Sequence, residues 1–231
     1  MQALENLKCQ IKEIKKVADF TKSFVLEKPK NFNYEPGQHG YIELSPDNGK
    51  PFSLVSSPHE KIIEFATIIR DQSKWKQELN KKKVGDKLIL SGPYGQFKYD
   101  DSEADIAFIA GGIGITPFIG IFRYLNYKKL PTKVILLYSN KSENRTAFKN
   151  ELDLLSDKNP NIKIIYTMTE QEDFDGEKGR IDQDFIRKHV KNPEKKTWYV
   201  AGPPTMVKEM NKLLKEEFLV KKIKLDSFGG Y

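Results

Sequence analysis

Between Ile106 and Phe118 an apolar run of strand length empties into Gly111, Gly112 and Gly114, and then into Thr116-Pro117. Glycine lets a backbone turn sharply and approach a ligand closely. Thr116 is a suitable N-cap, and Pro117 suits the first helical position, where a missing N–H costs nothing. A helix begun there presents free N–H groups and a partial positive charge, the chemistry a phosphate needs. The same letters also describe a strand-to-helix turn with no ligand, and only their setting separates the two. A second stretch, Pro51-Phe52-Ser53-Leu54-Val55-Ser56-Ser57-Pro58, sets an aromatic beside a hydroxyl, with the cation Lys50 just before it. An aromatic can flank a planar ring, a hydroxyl can bond ring heteroatoms, and a cation can meet a phosphate. An ordinary strand entered through a proline would look alike.

These residues need elements to position them, and the hydrophobic pattern supplies two kinds. In the first hundred residues Leu7, Cys9 and Ile11 alternate with polar residues, as in a half-buried strand. Further strands are expected at 23–27, 40–44, 52–56, 62–69 and 87–90, punctuated by Pro36-Gly37, Asp47-Asn48-Gly49 and Gly92-Pro93. One short helix is expected at 73–80, with Trp75 and Leu79 four residues apart. Short strands so closely spaced predict a small antiparallel barrel. From Asp105 the rhythm changes. Strand-like runs at 105–110, 133–139, 162–168, 197–201 and 222–226 alternate with helical patterns at 117–130, 146–156, 182–191 and 204–218. Strict alternation predicts a doubly wound parallel sheet, whose ligands lie beyond the C-terminal ends of the strands. The expected domains are residues 1–101 and 102–231, joined near the acidic segment Tyr99–Glu103. The glycine stretch then stands at the C-terminal end of the first parallel strand, which favours a phosphate site.

Composition narrows the classes. The 231 residues are 38% hydrophobic and 31% charged, which reads as soluble and globular. No run approaches the ~20 apolar residues of a membrane span, and the N-terminus has no apolar secretory core, so a cytoplasmic protein without a membrane span is expected. Cys9 is the one cysteine, which excludes an intrachain disulfide and a cluster held by four cysteines of this chain. The net charge of +7 is spread over both halves rather than gathered in a stripe, which argues against nucleic acid and suits an acidic protein partner. His39, His59 and His189 lie far apart with no ligand spacing, so no metal is expected. Met206 and Met210 at helical spacing read as core.

Taken together the motifs resemble the ferredoxin–NADP reductase superfamily, over nearly the whole length. Tyr34-Glu35-Pro36-Gly37-Gln38 looks like its entry to a barrel strand, and Pro51-Phe52-Ser53 resembles its arginine-x-tyrosine/phenylalanine-serine flavin motif. Gly92-Pro93-Tyr94-Gly95 is similar to its barrel-closing segment, and Gly111 to Pro117 to its pyrophosphate loop. Gly179-Arg180-Ile181 resembles a segment before the third helix. Ala201-Gly202-Pro203-Pro204 resembles its cysteine-glycine-proline motif, and Phe228-Gly229-Gly230-Tyr231 its aromatic ending. The resemblance implies an antiparallel FAD-binding β-barrel followed by an α/β nicotinamide-nucleotide domain. It implies hydride transfer from the nicotinamide to flavin N5, then single electrons to a separate acceptor, a protein or small molecule such as an acidic ferredoxin or a flavodoxin. FAD is expected rather than FMN.

The same resemblance implies site roles. Phe52 would pack on the flavin, Ser53 would sit near N5, and Lys50 and Pro51 would stand where the family has its arginine. Ile69, Arg70 and Ser73 would meet the ribityl or phosphate groups. Gly112, Gly114, Thr116 and Pro117 would cradle the nicotinamide nucleotide's pyrophosphate. Gly202 and Pro203 would flank its nicotinamide, and Tyr231 would stack on the flavin face. Ser53 and Tyr231 are thus the residues expected nearest the reaction. Pro51 and Lys50 displace the usual bidentate arginine contact, and Ala201 replaces the common cysteine. After the second parallel strand, Ser139-Asn140-Lys141-Ser142 and Arg145 offer cations for a ribose 2′-phosphate, with Glu143 the only acid, so the sequence leans towards NADPH over NADH. Two other readings use the same residues: the reductase component of a multicomponent oxygenase or other redox complex, and a non-catalytic nucleotide-responsive binding module.

Overall fold

The structure is a computed structural model that describes residues 2–229. The described chain divides into two compact units, one holding residues 2–99 together with 116–127, the other residues 100–115 and 128–229.

The first unit is a six-stranded antiparallel sheet. Its strands are β1 (Leu4–Ala18), β2 (Thr21–Glu27), β3 (His39–Glu43), β4 (Gly49–Ser53), β5 (Ile62–Ile68) and β6 (Lys87–Tyr94), in the order β4-β3-β6-β1-β2-β5. β1 runs for 15 residues where alternation marks only its middle. Its first half pairs with β6 and its second with β2, and the register slips between Ile11 and Glu13. Such an irregularity bends a strand, which lets one strand serve both walls of a barrel. The circle closes through the chain leaving β4, where the Val55 N–H donates to the Glu64 carbonyl of β5 at 2.7 Å. The strand expected at 52–56 is therefore shifted. It begins at Gly49 and ends at Ser53, because residues 54–56 leave the β3 ladder to meet Gln38 and Glu64. Ile11, Phe24, Leu26, Ile42, Phe52, Phe65, Trp75 and Leu90 share the barrel core.

A helix, α1 (Lys74–Lys81), plugs one part of that core with Trp75 and Leu79. A second, α2 (Thr116–Lys128), contributes residues 116–127 to this unit. Arg123 reaches the carboxylate of Glu64 at 2.6 Å, and Ser23 also donates to that buried acid. Phe118 lies against Phe97, and Tyr127 stacks flat on His59 at 3.7 Å between centroids. A carboxylate as deeply buried as Glu64, 1% exposed, is tolerable only because guanidinium and hydroxyl both bond it.

The second unit is a parallel sheet of β7 (Asp105–Gly111), β8 (Lys133–Asn140), β9 (Ile162–Met168), β10 (Glu177–Lys178), β11 (Thr197–Gly202) and β12 (Ile223–Ser227), in the order β10-β9-β8-β7-β11-β12. The apolar runs that predicted strands here are buried on both faces, as a covered parallel sheet demands. α3 (Lys149–Lys158), α4 (Gln183–His189) and α5 (Pro204–Glu216) are its helices. α3 starts three residues later than its apolar spacing suggests, because Phe148 takes a left-handed backbone, φ +61°, before the helix. The two-residue β10 carries no sequence signal. Chain order reverses between β7 and β11, and this is the switch point of the sheet.

Candidate functional site

In the barrel unit, β4 carries Lys50, Pro51, Phe52 and Ser53. Pairing with β3 sets Lys50 opposite Ile42 and Ser53 opposite His39. The Phe52 ring is seated in the core, 5.0 Å from Phe65 and 5.4 Å from Trp75 between centroids. Ser53 is buried at the strand's end. Beside β4 stands the N-terminus of α1. Ser73 caps it, its hydroxyl accepting from the Lys76 N–H at 3.4 Å. The Trp75 indole N–H donates to the Asn48 carbonyl at 2.9 Å, which ties the helix to the turn before β4. Arg70 lies in the turn before the cap and stays exposed, and the Ile69 N–H donates to the Phe20 carbonyl at 2.7 Å.

Lys76 is not among the residues that the sequence singles out. It is 6% exposed, and burial together with the nearby Arg70 and Lys50 pushes its pKa from the ordinary 10.5 down to about 8. Helical side chains lean back towards the N-terminus, so Lys76, Arg70 and Lys50 gather at the capped end of α1. Nothing in the letters could have singled out this lysine in so lysine-rich a chain; only its burial does. A lysine whose stem is buried, with Arg70 and Lys50 near it beside a helix N-terminus, fits the phosphates of a flavin nucleotide.

In the second unit β7 delivers Gly111 into a 3-10 turn, Gly112–Ile115, that leads straight into α2. Thr116 is therefore the first residue of the α-helix rather than its cap, since the tighter turn takes up the capping position. Both Thr116 and Pro117 are buried. Gly114 meets β11 so closely that a Cβ there would stand 2.2 Å from the Ala201 carbonyl oxygen, a distance only glycine permits. Gly112 differs. Its φ is +53°, and no atom lies within 4 Å of where its Cβ would be. The Tyr138 hydroxyl, kept neutral by burial, donates to the Gly112 carbonyl at 3.0 Å and pins the loop from below.

Around this open glycine the strand ends converge. Register sets Ser139 opposite Gly111 and Ala201 opposite Ala110, with Gly202 and Pro203 immediately after. Met206, expected in the core, is half-buried. Its thioether lies over Gly111 and Gly202, while Met210 is in the core. The Asn140 side chain is buried beside the Tyr138 hydroxyl. Lys141 pairs with Glu170 at 2.6 Å, and Glu143 pairs with Lys149 at 3.3 Å. Arg145 sits in the 3-10 turn that follows. The Phe228 N–H donates to the Gly202 carbonyl at 2.9 Å, so the chain's last described segment passes this end of the sheet. Tyr231 lies outside the described residues. An open glycine turn, a buried amide and an exposed proline at the strand ends fit a dinucleotide at the switch point. Among the described residues no cluster of three metal-ligating side chains exists, and no helix is long and apolar enough to cross a membrane.

Two family models match the chain, an FAD-binding domain over residues 6–98 and an oxidoreductase NAD-binding domain over 108–212. The NADH-cytochrome b5 reductase 2 of Mycosarcoma maydis is 32% identical over 179 residues, 73% of this chain and 51% of that protein. The NADH-cytochrome b5 reductase 1 of Mortierella alpina is 31% identical over 193 residues, 80% of this chain and 64% of its own length. The chain thus spans between half and two thirds of these relatives. A ferredoxin–NADP+ reductase from Neisseria gonorrhoeae, solved with bound FAD and NADP, shares the fold with a TM-score of 0.84 at 18% identity, covering 97% of this chain and all of that one.

Proposed function

Because the chain belongs to the ferredoxin–NADP reductase superfamily, we propose that it is an FAD-dependent reductase that takes hydride from NADH and serves a separate one-electron acceptor. One observation carries this reading: a single chain holds a closed barrel matched as FAD-binding and a parallel sheet whose switch point leaves Gly112 facing open space. When bound, the flavin supplies the conversion of a hydride into single electrons. The protein's residues bind and orient. Lys50, Arg70, Ser73 and Lys76 would hold the flavin's phosphates, Ser53 would stand towards the reacting edge of the ring, and Phe52 would back that wall from the core. Gly112, Gly114 and the first residues of α2 would hold the dinucleotide's pyrophosphate, and Gly202 and Pro203 would flank its nicotinamide.

Pairing supports NADH over NADPH. Lys141, the cation best placed by sequence for a 2′-phosphate, is engaged by Glu170 at 2.6 Å, and that carboxylate would repel a phosphate while accepting from a ribose hydroxyl. Both curated relatives carry NADH in their names. The net charge of +7 favours an acidic carrier. A cytochrome b5-type haem protein, the acceptor named for the relatives, joins ferredoxin and flavodoxin as the carriers to assay.

The test is colour. Protein loaded with FAD and kept anaerobic should lose its visible flavin absorbance on adding NADH, and more slowly with NADPH. A protein that stays colourless after incubation with FAD, or a bound flavin neither nucleotide bleaches, sinks the proposal.

A further inference from the structure

Glu64 makes two kinds of contact from one position on β5. Its backbone carbonyl accepts from the Val55 N–H at 2.7 Å, and its N–H donates to the Ser56 hydroxyl at 2.9 Å. These bonds hold the chain that leaves β4 just after Ser53. The Tyr34 and Ser56 hydroxyls, hydrogen-bonded at 2.8 Å, brace the same segment. The Glu64 side chain is engaged elsewhere: it accepts from Ser23 and, at 2.6 Å, from Arg123 of α2. Beside this anchor α2 lies directly on the segment. A Cβ on Gly120 would stand 2.9 Å from the Leu54 carbonyl oxygen and 3.0 Å from that of Ser56, so only glycine permits the approach.

Stability does not account for charge at this contact. A buried ion pair recovers little beyond its desolvation cost, and apolar side chains of like volume commonly serve as well. What apolar contacts lack is direction, whereas a guanidinium fork on a carboxylate fixes both distance and angle. The Glu64 side chain is 2% exposed and that of Arg123 17%, so little water loosens the geometry. Arg123 stands about two turns beyond Thr116, where α2 starts from the glycine turn. A continuous helix carries the constraint back to its first turn.

We propose that Arg123 is a positioning residue: through Glu64 it fixes the first turn of α2 against the chain leaving Ser53, and so holds the dinucleotide at the spacing that hydride transfer needs. The proposal deepens the reductase reading and rests on it for the identity of the ligand. Arg123 acts through the helix rather than on the reacting atoms. A misplacement of about 1 Å can slow such a transfer by up to about a hundredfold. Apolar replacement leaves α2 packed on the barrel but removes the directional bond that sets its place.

The experiment compares the wild type with Arg123→Met, Arg123→Lys and an apolar replacement of the cluster, Ser23→Ala/Glu64→Leu/Arg123→Met. Urea unfolding of the flavin-free proteins reads stability. FAD and NAD+ affinities, the long-wavelength charge-transfer absorbance of reduced flavin with NAD+, and single-turnover reduction by NADH read geometry. Arg123→Met should unfold at lower urea than the wild type and reduce its flavin about tenfold more slowly. The apolar cluster should regain wild-type stability and FAD affinity, yet keep the slow reduction and a weakened charge-transfer band. Arg123→Lys supplies a charge without the fork and should be about threefold slow. A folded apolar cluster with wild-type rate and charge-transfer band overturns the proposal, since the pair then only stabilises, and leaves the reductase reading standing. If the apolar cluster does not fold, Arg123→Lys decides. Wild-type rate and band in that variant overturn the proposal, whereas slow reduction at unchanged affinities upholds it. A wild-type protein that binds FAD but is reduced by neither nucleotide overturns the reductase reading, and the proposal with it.

Discussion

Lys76 costs the flavin-free protein stability, because burial and two neighbouring cations oppose its charge. Its pKa, pushed from 10.5 to about 8, means the unfolded chain holds more protons than the folded one between those values. Stability of the flavin-free protein therefore rises with pH across that window. Lys76→Met should make the flavin-free protein more stable at pH 7, by on the order of 1–3 kcal/mol. That advantage should shrink towards zero by about pH 10.5, as chemical denaturation of both proteins at several pH values would reveal. Burial pushes the Cys9 thiol up to about 12, which lowers stability at high pH in both proteins alike, so the difference isolates Lys76. The Lys141–Glu170 pair makes a second residue-scale prediction. Glu170→Gln should free the ammonium and raise the NADPH-to-NADH ratio of kcat/KM by about fivefold, equivalent to ~1 kcal/mol. An unchanged ratio would mean that this pair does not touch the choice of nucleotide.

At the scale of elements, the turn between β7 and α2 separates two uses of glycine. Gly114→Ala drives a methyl into the Ala201 carbonyl, and backbone on both sides cannot yield cheaply. Chemical denaturation should show a loss of about 2–4 kcal/mol. Gly112→Ala meets open space and should cost only about 1–2 kcal/mol for its left-handed backbone, while weakening nucleotide binding disproportionately. Equal losses of stability with no binding defect at Gly112 would make the turn merely structural. Much of this element was legible in sequence, because an apolar run ending in glycines at a strand-to-helix junction constrains the backbone so strongly. The alternation that predicted a parallel sheet was legible for the same reason: buried strands must be apolar throughout. The rest hides where sequence patterns carry no tertiary information. Periodicity marks α2 as a helix with an apolar face, but not that Arg123 reaches Glu64 in the barrel unit. It marks Phe52 as apolar on a strand, but not that Phe65 and Trp75 enclose it. Lys76 reads like any exposed lysine until its helix is placed against β4.

For the whole molecule, flavin reduction by a nicotinamide needs both units in one chain. The barrel unit gathers three cations at the capped end of α1 beside β4, and the sheet unit opens a glycine turn at the point where its strand order reverses. Neither alone moves a hydride. The most direct measurement is anaerobic stopped-flow reduction of the FAD-loaded protein by NADH and by NADH deuterated at nicotinamide C4. The expected result is a single-turnover loss of flavin absorbance that is slowed by deuterium at the transferred position, with NADH faster than NADPH. A protein that binds FAD and NADH together yet leaves the flavin oxidised would contradict it.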